Sequence, residues 1–438
     1  MDVLLLPAGS AGDVFPFVGL GERLRGRGHR VVVASAAPFR ADIEAAGLEY
    51  VELATREDFD RIVRDREVWH PMRGFPAIAR HAVLPYMRAQ YDCVARVAAE
   101  RPGLEVVHSA LGMGARIAHE ALGIPLTTLH LQPTVLWSRH ASPKMGAGLF
   151  GPWVPAWLKQ LQFDVAQWLI IDPTLRSPVN AWRVELGLEP ARHVYDLFHS
   201  PQRVIGMFPA WFSAPQPDWP PNVELADFPL WDRSPDQRLD PELAAFLAEG
   251  TPPWAFTPGS AMAFGKDFFT AAADACGRAG RRGLLITRYA DQVPPVLPEG
   301  VRHVPFVPFS LLFPRVAAIV HHGGIGTTSQ AFAAGVPQVI MPMSHDQPDN
   351  AARVRALGVG EALAPSRFTG RRLARILARL EADPEVPARC RALAARTRGG
   401  GPDGLDQACA ILERDHAART AIPHARSAIN AGDAARES

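Results

Sequence analysis

The chain has 438 residues, 47% of them hydrophobic, which suits two or three packed domains at roughly 100–200 residues each. A net charge of +1 gives no electrostatic footing for nucleic acid, which is excluded as a partner. Four scattered cysteines (Cys93, Cys276, Cys390, Cys409) show neither the spacing of a zinc site nor a disulfide framework, and read as buried or free thiols of a reducing compartment.

The opening MDVLLLPAGSAG lacks the basic segment of a signal peptide and reads as a first buried strand. Val3–Leu6 is that strand, GSAGDVFPF a Gly-rich turn carrying Asp13, Val18–Arg27 a helix closed by Gly28, and His29–Ser35 the next strand. Together they make a βαβ unit of the usual length, roughly 30 residues. A helix over Pro38–Ala46, capped by Gly47, leads to a strand at Glu49–Leu53. Asp58–Phe59–Asp60 is a formal Asp-x-Asp string in a charged helical stretch and is read against metal binding, since so short a match is often accidental. Val106–Ser109 is a strand, Ala115–Leu122 a helix and Ile124–Leu131 a strand. Ser138–Ile171 is rich in Trp, Phe and Pro and fits no βα unit. Its apolar run Leu149–Ile171 is interrupted by Pro152, Pro155, Lys159 and Asp164, and no stretch reaches the ~18–20 apolar residues needed to span a bilayer. A cytoplasmic protein is expected, with loose association at the inner membrane or with a partner protein left open.

Arg203–Met207 resumes the strand pattern, and Trp211–Pro241, dense in Pro, Trp and Asp, reads as a linker. The grammar then repeats. Pro253–Thr257, Gly283–Thr287, Val301–Val304, Ala317–Val320 and Gln338–Pro342 are strands; Phe268–Gly277, Arg371–Ala382 and Ala388–Thr397 are helices. The expected division is 1–215, a linker at 216–240, 241–415, and a tail at 416–438 whose composition suits disorder. Two α/β halves about a hinge imply a cleft between them.

Residues 316–350, VAAIVHHGGIGTTSQAFAAGVPQVIMPMSHDQPDN, carry the densest signal. Gly323, Gly324 and Gly326 let backbone approach phosphate oxygens, and Thr327 and Thr328 open a helix whose unpaired N–H groups and dipole favour an anion. Asp346 and Gln347 follow the next strand and offer a carboxylate and an amide to hydroxyl groups. Both clusters fall at carboxyl ends of strands, where open α/β sheets bind ligands. His321 and His322 close the first strand; adjacent strand residues face opposite ways, so one of them faces a ligand.

With both Gly-rich turns and this block in place, the chain resembles the family 1 glycosyltransferases of the GT-B fold over nearly its whole length. The resemblance implies an α/β protein of two facing Rossmann-like domains, an N-terminal acceptor domain and a C-terminal nucleotide-sugar donor domain. More narrowly, the strings GSAGDVFPF, GARIAHE, SPQ, FPAWF, DWP, GGIG, AAGVPQV and HDQ-DN are similar to the bacterial rhamnosyltransferases of mono-rhamnolipid synthesis. The family register places His321 at the diphosphate and leaves His322 structural. It puts Gly326 and Thr327 on phosphate, Asp346 and Gln347 on the sugar, and the turn at Gly259 and Ser260 near the nucleotide. Gly324 and Ile325 replace the Trp and Asn of the plant pattern. Ser329 stands where a ribose-binding Glu is usual, a departure that suits a deoxyribose donor such as dTDP-L-rhamnose.

Asp13 occupies the place of the plant enzymes' catalytic His, and Ser109 that of the acid orienting it. An ordinary Asp has a pKa of about 3.9, so such a base needs a dry cleft to raise it. The scheme calls for no metal or other cofactor. The acceptor is expected to be hydrophobic and hydroxylated, such as a 3-(3-hydroxyalkanoyloxy)alkanoate. Phe15, His108, His130, Trp137 and Trp153 are candidates to line its site, the two tryptophans within an aromatic and aliphatic cluster that includes Leu149 and Phe150. The alternatives are a UDP-glucose or dTDP-deoxysugar transferase acting on a polyketide, macrolide or sterol, a nucleotide-sugar epimerase, and a non-catalytic partner of another transferase.

Overall fold

Short apolar runs bounded by Gly and Pro become parallel strands in the computed structural model, which describes residues 1–145, 148, 151–232 and 238–434. The first half holds β1 (Asp2–Leu6), β2 (Arg30–Ala36), β3 (Glu49–Ala54), β4 (Glu105–His108), β5 (Leu126–His130), β6 (Arg203–Met207) and β7 (Val223–Ala226). They form one sheet in the order β3-β2-β1-β4-β5-β6-β7. The second half holds β8 (Trp254–Thr257), β9 (Gly283–Ile286), β10 (Val301–Val304), β11 (Ala318–His321), β12 (Gln338–Ile340) and β13 (Gly360–Ala362), ordered β10-β9-β8-β11-β12-β13. Central strands such as β1, β8 and β11 are buried along nearly their whole length, as expected where helices cover both faces of a parallel sheet. The strand order reverses between β1 and β4 and again between β8 and β11. Ligand crevices of doubly wound sheets lie at such reversals, beyond the carboxyl ends of the strands.

The first helix begins at Ala11, not at Val18, and carries Pro16 inside it. Asp13 therefore sits on the first helical turn, not on a loop. Ser10 is the N-cap, and the Asp13 carboxylate folds back to accept from the Ser10 N–H at 2.8 Å and from its hydroxyl at 3.1 Å. Gly9, at φ +133°, permits this approach; a Cβ there would stand 2.3 Å from Asp13 Oδ2. The expected linker contains β7, a four-residue edge strand hidden by its Pro- and Asp-rich flanks, while 233–237 lie outside the described residues. The aromatic stretch forms a helix at Ala156–Ala166, continued by Gln167–Ile171 and by a helix over Asp172–Glu185. Trp153, Trp157 and Trp168 are exposed on its surface; Leu149 and Phe150 lie outside the described residues.

From residue 416, where a tail was expected, the chain continues a helix that runs from Gly404 to Ala434. Its early turns bury Leu405, Ala408, Cys409 and Leu412 and return to the N-terminal half. Arg23 pairs there with Asp403 and Asp406, Arg27 with Asp406 and Glu413, and Arg203 with Asp415. The halves also meet through Phe332, whose ring centroid lies 5.5 Å from Trp211, 5.9 Å from Phe212 and 6.1 Å from Phe228. Arg353 Nη1 donates to the Phe212 carbonyl at 2.6 Å. Among the described residues no helix is long and apolar enough to cross a membrane.

Candidate active site

The two switch points face each other across one cavity of about 1600 Å³. That exceeds the roughly 300–1,000 Å³ usual for a single small ligand and is room for two substrates. The first helix and the helix Ile325–Ala334 meet there almost end to end: a Cβ on Gly326 would stand 4.0 Å from Gly12 Cα. Two sets of unpaired N–H groups and two positive dipole ends therefore converge. Asp13 answers the first, and the second is left for an anion.

Of the residues expected to bind a donor, Gly259, Ser260, Gly324, Gly326, Thr327, Asp346 and Gln347 line the cavity from the C-terminal half. His321 does not. It is fully buried, its Nε2 lies 2.9 Å from Gln338 Oε1, and its Nδ1 accepts from the Gly323 N–H at 3.1 Å. Gly323 stays behind with it. His322 is the histidine that reaches the cavity, against Gly259 and Gly324: a Cβ on either would come within 2.7 Å of its ring. Gly259, at φ +102°, is the turn that admits it. His322 Nδ1 has no partner, and burial, with His345 next, lowers its pKa to about 4. The imidazole is thus neutral at physiological pH. Ser329 spends its hydroxyl on the Gly326 carbonyl at 2.9 Å, and Gln330 also lines the cavity.

Gln347 Oε1 accepts from the Met343 and Ser344 N–H groups at 2.8 and 3.2 Å, which fixes the side chain and leaves its amide nitrogen for a ligand. Asn350 Nδ2 donates to Asp346 Oδ2 at 2.7 Å and to the Gly323 carbonyl at 2.8 Å. Burial, and next the charge of Asp13, raise Asp346 to about 7. Two carboxylates from opposite domains thus sense each other. His345, before it, has φ +58°, the one non-glycine residue in the left-handed region among those described. Such a conformation is strained and needs outside support, and its ring packs 6.1 Å from Trp69 of the other half. Arg66 of the first half lies 4.8 Å over the Phe264 ring of the second.

On the N-terminal side burial raises the Asp13 carboxyl above the ordinary carboxylate range, opposed in part by its bonds from Ser10. Both of those bonds go to Oδ2. Phe15, His130 and Trp137 line the cavity, with Trp137 stacked between Phe163 at 4.9 Å and Tyr195 at 4.3 Å. His108 does not: it is fully buried, bonded to Thr128 Oγ1 at 2.7 Å. Trp153, 73% exposed, is outside as well. The wall around them is apolar, with Phe75, Phe163, Leu169, Ile170 and Phe198.

Two residues the sequence reading did not single out line the cavity from the C-terminal half. Arg288 is the one Lys or Arg side chain among the described residues lining the cavity, and Phe306, 49% exposed, presents an aromatic ring to it. Each follows the carboxyl end of a parallel strand, β9 and β10, and that rule alone was enough to nominate them.

Residues 3–137 match the glycosyltransferase family 28 N-terminal domain, and residues 285–402 the C-terminal domain of the erythromycin biosynthesis protein CIII-like family. Over 434 residues the chain is 33% identical to O-mycaminosyltylonolide 6-deoxyallosyltransferase of Streptomyces fradiae, covering 96% of this chain and 99% of that relative. Among solved structures, the kitacinnamycin glycotransferase superposes with a TM-score of 0.69 at 23% identity, covering 94% of this chain and 98% of that one. The glycosyltransferase VinC in complex with dTDP superposes with a TM-score of 0.66 at 22% identity, covering 95% and 99%. At such identities the two structures speak for the fold.

Proposed function

Because the chain belongs to the GT-B glycosyltransferases, joining a family 28 N-terminal domain to an erythromycin CIII-like C-terminal domain, we propose that it moves a 6-deoxyhexose from a dTDP-sugar to a hydroxyl of a polyketide or macrolide acceptor, with inversion. The observation that carries this reading is the meeting of Asp13 with the anion-ready Ile325 helix terminus in one apolar cavity. Asp13 Oδ1, uncommitted while Oδ2 holds Ser10, takes the acceptor hydroxyl proton as the oxygen attacks the anomeric carbon. The glycosidic bond forms as the bond to the diphosphate breaks. The leaving charge is received by the N–H groups of Ile325, Gly326 and Thr327 and by an N–H of neutral His322. Asp346 and the Gln347 amide hold sugar hydroxyls, and Phe306 offers a stacking face to the base.

A polyketide or macrolide acceptor is favoured over the rhamnolipid precursor also expected from the sequence because the Streptomyces fradiae relative acts on a mycaminosyl tylonolide. The dTDP bound to VinC supports a thymidine donor; L-rhamnose remains one of the deoxyhexoses it could carry. The test is product mass spectrometry with dTDP-L-rhamnose, other dTDP-deoxyhexoses and UDP-glucose against macrolide aglycones and a hydroxyalkanoyloxy-alkanoate. A deoxyhexose mass increment on a macrolide is expected. Transfer from UDP-glucose alone, or to the lipid alone, would overturn the substrate assignment.

A further inference from the structure

Beside Asp13 the acceptor wall carries polar groups that the transfer step does not use. β1, β4 and β5 are neighbours in register, Leu6 beside His108 and His108 beside Thr128. The chain therefore delivers the Asp13 helix, Ser109 and His130 at three adjacent strand ends, all on the cavity. Ser109 Oγ is buried without a partner. His130, 2% exposed, has its Nε2 2.9 Å from Nδ1 of His199, which is 8% exposed, and His199 Nε2 has no partner at all.

That last atom fixes the proton positions. Burial lowers both imidazoles, His130 well below the ordinary value and His199 to about 4, so both are neutral. One proton lies between them. If His199 carried its proton on Nε2, a bare N–H would be buried with nothing to receive it, and orphaned buried donors are rarer than under-used acceptors. The His199 proton therefore sits on Nδ1 and is donated to His130 Nε2. His130 must then carry its own proton on Nδ1, the ring nitrogen His199 does not engage.

We propose that His130, held in this tautomer by His199, donates a hydrogen bond to a carbonyl oxygen of the acceptor and so selects acceptors bearing a ketone or lactone near the hydroxyl to be glycosylated. This rests on the reading of the N-terminal lobe as the acceptor site. His130 is the binding residue, and His199 is a positioning residue that acts through it.

The test uses two probes of one framework, 4-hydroxybenzophenone and 4-benzylphenol, which differ only in a carbonyl against a methylene. Each is titrated into the full-length protein with and without saturating dTDP. Wild type is expected to bind the ketone about tenfold more tightly, the worth of one hydrogen bond. His130→Phe should erase that preference, bringing the two probes to equal affinity. His130→Asn, which returns an N–H near the Nδ1 position, should restore part of it, and His199→Phe should reduce it. Equal affinity of wild type for the two probes, no binding of the ketone at millimolar concentration, or a preference that survives in His130→Phe would overturn the proposal. A wild type that discriminates the probes but does not bind dTDP would count against the transferase reading and leave this one standing.

Discussion

At the scale of single residues, two adjacent histidines have opposite jobs. His321 ties β11 to Gln338 and to the Gly323 turn inside the core, whereas His322 lines the cavity and keeps a buried Nδ1 without a partner. His321→Ala strands the Gln338 amide oxygen and the Gly323 N–H, so it should lower stability by about 1–3 kcal/mol. His322→Ala should leave the melting temperature near wild type and weaken dTDP about tenfold. Chemical denaturation and calorimetric titration of the two variants read this directly, and dTDP weakening confined to His321→Ala would return the diphosphate to that residue. The choice could not be made from the sequence because all four residues of β11 are buried. A strand buried on both faces has no polar alternation to reveal which side faces the site.

At the scale of elements, the Ile325 helix works by its first turn. Gly326 is helical there, and a Cβ would meet nothing closer than 4.0 Å in the unliganded cleft. Gly326→Ala should therefore stabilise the protein by up to about 1 kcal/mol through helix propensity, yet weaken dTDP by standing where phosphate approaches the backbone. A thermal melt and a dTDP titration on one sample check both signs. Most strands were legible because each is a short apolar run ended by Gly, Pro or Asp. The start of the first helix was not: Gly9, Ser10, Gly12 and Pro16 are turn-formers, yet Ser10 caps the helix and Gly9 lets Asp13 close on it. β7 was missed because four residues among prolines, three of them half-buried, carry little periodicity. The Gly404–Ala434 helix was missed because the pattern that makes it a bridge lies in its partners, Arg23, Arg27 and Arg203, hundreds of residues away.

At the scale of the whole molecule, burial of neutral imidazoles sets the response to acid. Burial lowers His108 and His321 to about 3 and His199 and His322 to about 4, against about 6.5 in an unfolded chain. Between those values the unfolded chain takes up protons that the folded one refuses, so stability falls as pH drops below about 6.5. Asp346, raised to about 7, works the other way: the folded state holds its proton in this window, which resists acid. Asp346→Asn should therefore steepen the loss on acidification, by at most about 1.4 kcal/mol per pH unit. Urea midpoints at pH 7, 6 and 5 would show it. The proposed transfer draws on the same closeness of the two halves, taking its base from one and its anion site from the other. Asp13→Asn, assayed for dTDP binding by calorimetry and for transfer by mass spectrometry, tests that division most directly. Unchanged dTDP affinity with transfer reduced at least about a hundredfold is the expected result; full transfer activity would contradict it.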